Sequence, residues 1–89
     1  MNTWDEAKRQ ATLRERGLDF ADAEEVFKGT TLTLPDERRD YGELRYITAG
    51  WLRGRFVMIA WTLRDGGRRI ISMRFGHADE EEYYREQMG

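Results

Sequence analysis

Asp65-Gly66-Gly67 stands between two runs of alternating side chains, Phe56 to Arg64 and Arg68 to Phe75, and this constrains the fold more than any other stretch. A short Asp/Gly-rich segment flanked by β-branched and aromatic residues is the signature of a tight antiparallel hairpin. With all three residues in the loop, Arg64 opposes Arg68, Thr62 opposes Ile70, Ala60 opposes Ser72 and Met58 opposes Arg74. One face then carries Val57, Ile59, Trp61 and Leu63 with Ile71, Met73 and Phe75, and reads as core. The other carries Thr62, Arg64, Arg68, Ser72 and Arg74, a polar and cationic platform. A two-residue loop would turn arginines into the apolar face, so the odd loop is expected.

Upstream, Thr30 to Leu34 and Leu44 to Gly50 supply two more strands, joined by a long polar connection that opens at Pro35-Asp36. Before them, residues from about Asp5 to Arg16 read as a helix closed by Gly17, with Trp4, Ala7, Ala11 and Leu18 on one stripe and Leu13 nearly opposite. Asp19 caps a second, short helix carrying Phe20, Ala23, Val26 and Phe27 and ending at Gly29. A last helix begins near Asp79 and carries Tyr83, Tyr84 and Met88. The expected order is ααββββα: an α+β fold with two N-terminal helices, a four-stranded mainly antiparallel sheet and a C-terminal helix, in one domain spanning residues 1–89.

The net charge of -2 hides a strong division along the chain. Residues 1–43 carry 7 basic and 11 acidic side chains, whereas residues 44–78 carry 7 arginines against Asp65 alone, and the remainder is acidic again. Arginine suits bidentate contact with phosphate or carboxylate. The chain has no cysteine and one histidine, His77, which excludes a disulfide framework, thiolate metal sites and a histidine cluster, so any chemistry is expected to be metal-independent and free of cofactors. No apolar run is long enough to span a membrane and the first residues lack a signal-peptide pattern, so a cytoplasmic protein is expected. Glycine-rich phosphate loops, calcium loops and nucleophile elbows are also missing.

Metal-free RNA cleavage needs a group that removes a proton from the 2′-hydroxyl, one that returns a proton to the leaving oxygen, and fixed positive charge for the transition state. Arg64 and Arg74 near strand ends are candidates for the phosphate grip. Glu80, Tyr83, Tyr84 or His77 near the last helix are candidates for the proton transfers. Trp51 is a candidate base-stacking ring, while Trp61 falls on the core face.

Trp4-Asp5-Glu6-Ala7-Lys8, Arg16-Gly17-Leu18-Asp19-Phe20 and Ala23-Glu24-Glu25-Val26-Phe27 resemble the amino-terminal half of BrnT toxins. Asp40-Tyr41-Gly42-Glu43, Arg45-Tyr46-Ile47-Thr48, Thr62-Leu63-Arg64 and Arg69-Ile70-Ile71-Ser72 with Arg74 resemble that family's signature in order and spacing. The resemblance implies a RelE-like ribonuclease fold and toxicity through RNA cleavage that stops translation. It also implies a BrnA-like antitoxin, a ribbon-helix-helix dimer that neutralises the toxin and touches the operon DNA on its behalf. On this basis Arg64, Arg74, Glu80 and Tyr83 are the expected catalytic residues, and Lys8, Arg45, Arg53 and Arg68 the expected RNA contacts. Two departures stand out: Phe75 to Glu82 is acidic where the family carries arginines, and Arg16 stands where it often shows histidine. Acidic replacements repel a phosphate backbone, which opens the alternative of an interaction module that binds an antitoxin or other acidic partner without cleaving RNA.

Overall fold

Asp5 opens a helix and Gly17 ends it, as their side-chain chemistry requires. The Asp5 carboxylate accepts from the Ala7 N–H at 2.9 Å, while Gly17 takes the left-handed conformation (φ 70°) and donates to the Leu13 carbonyl. Asp19 repeats the device, accepting from Ala21 N–H and starting a 3₁₀ turn at Phe20–Asp22 that runs into a five-residue helix. That helix stops at Phe27, two residues before Gly29. The computed structural model describes Met1–Gly89 as β1 (Asn2–Trp4), α1 (Glu6–Arg16), α2 (Ala23–Phe27), β2 (Leu32–Pro35), β3 (Tyr46–Leu52), β4 (Arg55–Arg64), β5 (Gly67–Phe75) and α3 (Ala78–Met88).

The fold is α+β, but its sheet has five strands in the order β1-β5-β4-β3-β2 and is mixed, in place of the four mainly antiparallel strands expected. The added strand, β1, pairs in parallel with Arg68–Ile70 of β5 and carries Trp4 into contact with the core. All other neighbours are antiparallel. Trp4 therefore docks from a strand, and α1 has no fully buried residue.

The β4–β5 hairpin also differs near its tip. Only Asp65 and Gly66 form the loop, both left-handed (φ 53° and 78°), so Arg64 pairs with Gly67, Leu63 with Arg68 and Thr62 with Arg69. A register shift beside Ala60/Trp61 then leaves Ile71 without a partner, and the expected pairs Ala60↔Ser72 and Met58↔Arg74 follow. The loop favours the two-residue turn because two left-handed residues match the strand twist, and one bulged residue restores phase beyond it. Leu63 keeps to the side of Trp61 but lies at the hairpin tip, 62% exposed and outside the core, and Ile71, taken out of the ladder by the bulge, is only half-buried. Arg68 moves to the opposite face from the platform, where its guanidinium lies 3.9 Å over the Phe27 ring and 5.3 Å from Trp61.

One face of the sheet packs Val57, Ile59, Trp61, Ile70 and Met73 against Leu18, Phe20, Ala23 and Val26. Trp61 Nε1 donates to the buried Thr48 hydroxyl at 2.8 Å, and Thr48 meets the Thr33 hydroxyl at 2.7 Å, so three neighbouring strands share one polar chain that runs from the core to the exposed Thr33. The opposite face is covered at one end only, where Tyr84 and Met88 of α3 pack on Ala49, Phe56 and Met58. Elsewhere the β2–β3 connection comes down on it at Leu44, whose carbonyl accepts from the buried Thr62 hydroxyl at 2.6 Å, while Arg64 stays exposed and Ser72 and Arg74 partly so.

Candidate nucleic-acid interface

The α3 side of the sheet is built by the side chains that alternation turns away from the core: Met58 and Thr62, both buried, with Ala60 and Arg64 on β4, and Arg69, Ser72 and Arg74 on β5. Arg74 stands beside the start of α3. Its two terminal nitrogens donate to the two carboxylate oxygens of Glu80 at 2.9 and 2.8 Å. Glu80 also accepts from the His77 N–H at 2.8 Å, closing a capping box with the His77 side chain at the N-terminus of α3. These donors, Arg74 foremost, hold the Glu80 carboxyl down at about 2. Glu80 is thus an ionised positioning residue at neutral pH, tying the helix to the arginine.

Two further arginines close on the same place from separate elements. Arg16, in the last turn of α1, donates to the Met73 carbonyl at 3.0 Å, at a part of β5 that β1 does not reach. Arg38, on the β2–β3 connection, is gripped through two 2.8 Å bonds by Asp36, whose side chain is 2% exposed. Tyr41 donates to the same carboxylate, and Asp36 is held at about 2, chiefly by the Arg38 hydrogen bonds. Arg16, Arg38 and Arg74 line a pocket of about 150 Å³ floored by Ser72, Ala60 and Met58. Tyr84 borders the group: burial raises its phenol above the usual value, and its proton feels the charges of both Glu80 and Arg74.

A second depression of about 220 Å³ lies toward the hairpin tip and is lined by Lys8, Arg45, Arg64, Arg69 and Thr62 with Asp5 and Glu43. Glu43 bridges Arg64 at 3.1 Å and Arg45 at 3.3 Å. Arg45 also lies 4.1 Å over the Tyr41 ring.

Of the residues expected from sequence, Arg74 and Glu80 meet directly, while Arg64, Arg45 and Lys8 gather in the second depression. Tyr83 stands outward on α3, 51% exposed, with its ring edge-on to Tyr84. Arg53 sits in the β3–β4 turn and pairs with Asp22 and Glu25 on the helical side, away from either pocket. Arg68 lies on the core side. Trp51 is already covered by the Arg85 guanidinium and donates to Glu81. Sequence reasoning missed Arg16 and Arg38 as members of the cluster. The sequence signals that single them out are positional, Arg16 immediately before the helix-ending Gly17 and Arg38 two residues after the buried Asp36.

Fold and site together define a small α+β protein that gathers three arginines around one pocket on the α3 side of its sheet. Residues 4–80 match the family described as the ribonuclease toxin, BrnT, of type II toxin-antitoxin systems, and the chain belongs to that family. No curated protein matches it. As a type II toxin it has an antitoxin partner. No helix is long and apolar enough to cross a membrane.

Proposed function

We propose that residues 1–89 act as one toxin domain, a cytoplasmic endoribonuclease that cleaves RNA without a metal ion, stops translation and is neutralised by a BrnA-like ribbon-helix-helix antitoxin. The observation that carries this reading is the convergence of Arg16, Arg38 and Arg74 on the Ser72 pocket on the α3 side of the sheet. Three fixed cations around a volume suited to a phosphate group supply the charge that a five-coordinate phosphorus requires. The 2′-hydroxyl gives up its proton to solvent water as its oxygen attacks the adjacent phosphorus, and the bond to the 5′-oxygen breaks, leaving a 2′,3′-cyclic phosphate and a 5′-hydroxyl; the phenolate left on the proton donor is reprotonated from the same solvent.

Arg74 grips the scissile phosphate in this scheme and Glu80 orients it. Tyr84, protonated at neutral pH and electrostatically coupled to Arg74, delivers the proton to the 5′-oxygen, with Tyr83 the neighbouring candidate. Arg64, Arg45 and Lys8 hold the strand outside the scissile position, whereas Arg53 and Arg68 play no part. Incubating the purified chain with single-stranded RNA in EDTA tests the reading. Cleavage to cyclic-phosphate ends that disappears in Arg74→Ala supports it, and intact RNA under all salt conditions sinks it.

One observation favours a second reading, an interaction module that binds its antitoxin without cleaving. The Arg74 fork is already filled by Glu80, the feature that an acidic partner segment would mimic. Tight antitoxin binding with intact RNA is its mark.

A further inference from the structure

Arg69 and Arg74 share the outer face of β5 although they stand five positions apart. Strict alternation would send one of them to the core side. The unpaired Ile71 between them resets the phase, so that Arg69 pairs across from Thr62 and Arg74 from Met58, both on the outer face. Bulges of this kind re-aim side chains, and they concentrate beside functional sites. Here the re-aimed side chain is a cation with no carboxylate within ion-pair distance, and Lys8 across the same depression has none either. Of the two acids at its rim, Asp5 caps α1 and Glu43 is shared between Arg45 and Arg64. The depression therefore holds an excess of positive charge, with Arg69 and Lys8 free to take an anion.

From these placements we infer that the Lys8/Arg64/Arg69 depression is a second phosphate subsite, which takes a backbone phosphate of the same RNA strand a few nucleotides from the one at Arg74. The inference rests on the RNA reading above and specifies how the strand runs. The Met58/Ala60 and Thr62/Arg64 rows of β4 are four residues apart, about 13 Å at the rise of an extended strand. A single strand thus crosses the sheet along β4 and β5, its outer phosphate held by charge and its inner one by the Arg16/Arg38/Arg74 cluster. The subsite gives length dependence without base preference, because a phosphate is the same at every nucleotide.

The test uses the full chain and 2′-O-methyl oligonucleotides, which lack the attacking hydroxyl and stay intact. The parent is expected to bind a decanucleotide about tenfold or more tightly than a trinucleotide. In Lys8→Gln/Arg69→Gln that advantage collapses, and the slope of log affinity against log salt becomes shallower by about 1.4, for two lost contacts on a single strand. Lys8→Gln alone, on the exposed face of α1, loses about half of the change in slope and keeps the measurement free of any packing effect at Arg69. A double variant that keeps the full length advantage and salt slope overturns the subsite while leaving RNA cleavage at Arg74 standing. If the same variant instead loses affinity only for the antitoxin, the depression belongs to the protein partner and the subsite is likewise overturned. A parent that binds neither oligonucleotide and cleaves no RNA overturns the RNA reading itself, and the subsite with it.

Discussion

Glu80 closes on both terminal nitrogens of Arg74, at 2.9 and 2.8 Å, and leaves the Nε edge of the guanidinium as the one that can face an RNA phosphate. The pair is a resting arrangement in which the helix neutralises the arginine and holds it in one orientation. Glu80→Gln keeps the shape and one acceptor but removes the charge. We expect tighter RNA binding, from lost like-charge repulsion, together with slower turnover, from a less ordered Arg74. Steady-state cleavage gives this as a lower KM with a lower kcat. Arg74→Ala lowers kcat by about a hundredfold or more, and Arg74→Lys restores little because an ammonium cannot make the two-pronged contact. A wild-type rate in Arg74→Ala contradicts the assignment.

Tyr84 and Tyr83 are adjacent on α3 but differ in surroundings. Tyr84 is half-buried, packs toward Phe56 and feels Arg74 and Glu80, while Tyr83 projects outward. Tyr84→Phe is expected to reduce kcat by about a hundredfold with the fold intact, and Tyr83→Phe by much less. Equal effects, or the reverse order, remove Tyr84 from the proton transfer.

Asp36 and Glu80 both titrate at about 2, down from ordinary values of 3.8 and 4.5. A carboxyl depressed in the folded state stabilises the fold fully above its unfolded value and loses that contribution as pH falls through the folded one. Stability should therefore be level above about pH 4.5 and decline steadily toward pH 2. Urea midpoints recorded across this range check it. Asp36→Asn and Glu80→Gln should each flatten the decline, and an unchanged acid slope in both would show that neither pair acts this way.

Thr48→Val preserves shape but removes the acceptor of Trp61 Nε1 and the partner of the Thr33 hydroxyl, at a residue that is fully buried. An orphaned buried donor costs about 1–3 kcal/mol. Urea denaturation should show a loss of that size with the m-value unchanged, and no change in RNA cleavage. A variant as stable as the parent would show that Trp61 finds another partner.

Much of this architecture is written in local residue chemistry. Asp5, Gly17 and Asp19 cap and end helices by interactions within a few residues, and the Val57, Ile59 and Trp61 alternation places the core face unaided. What escaped were choices settled by distant or competing contacts. Asn2-Thr3-Trp4 is too short to announce a strand, and its partner is Arg68–Ile70 at the far end of the chain. Consecutive Ile70 and Ile71 look like ordinary strand residues, so nothing local marks the bulge that turns Arg68 inward and Arg69 outward. Among the candidate site residues, Arg74 and Glu80 were legible because strand end and helix start adjoin in sequence. Arg16 and Arg38 arrive from elements that only the tertiary fold brings beside them.

The parallel pairing of β1 with β5 has a consequence for the order in which the molecule matures. Asn2 leaves the ribosome well before Arg68 yet finds its partner only when Arg68 has been made, so the strip of surface shared by α1 and β5 does not exist on a nascent chain that stops short of it. The β3–β4 and β4–β5 hairpins can form as they emerge, whereas the first strand must wait for a long loop to close. Lys8 and Arg69 come together only in that last step. A chain still being translated therefore lacks this part of its surface, and the pairing of one three-residue strand is what adds it.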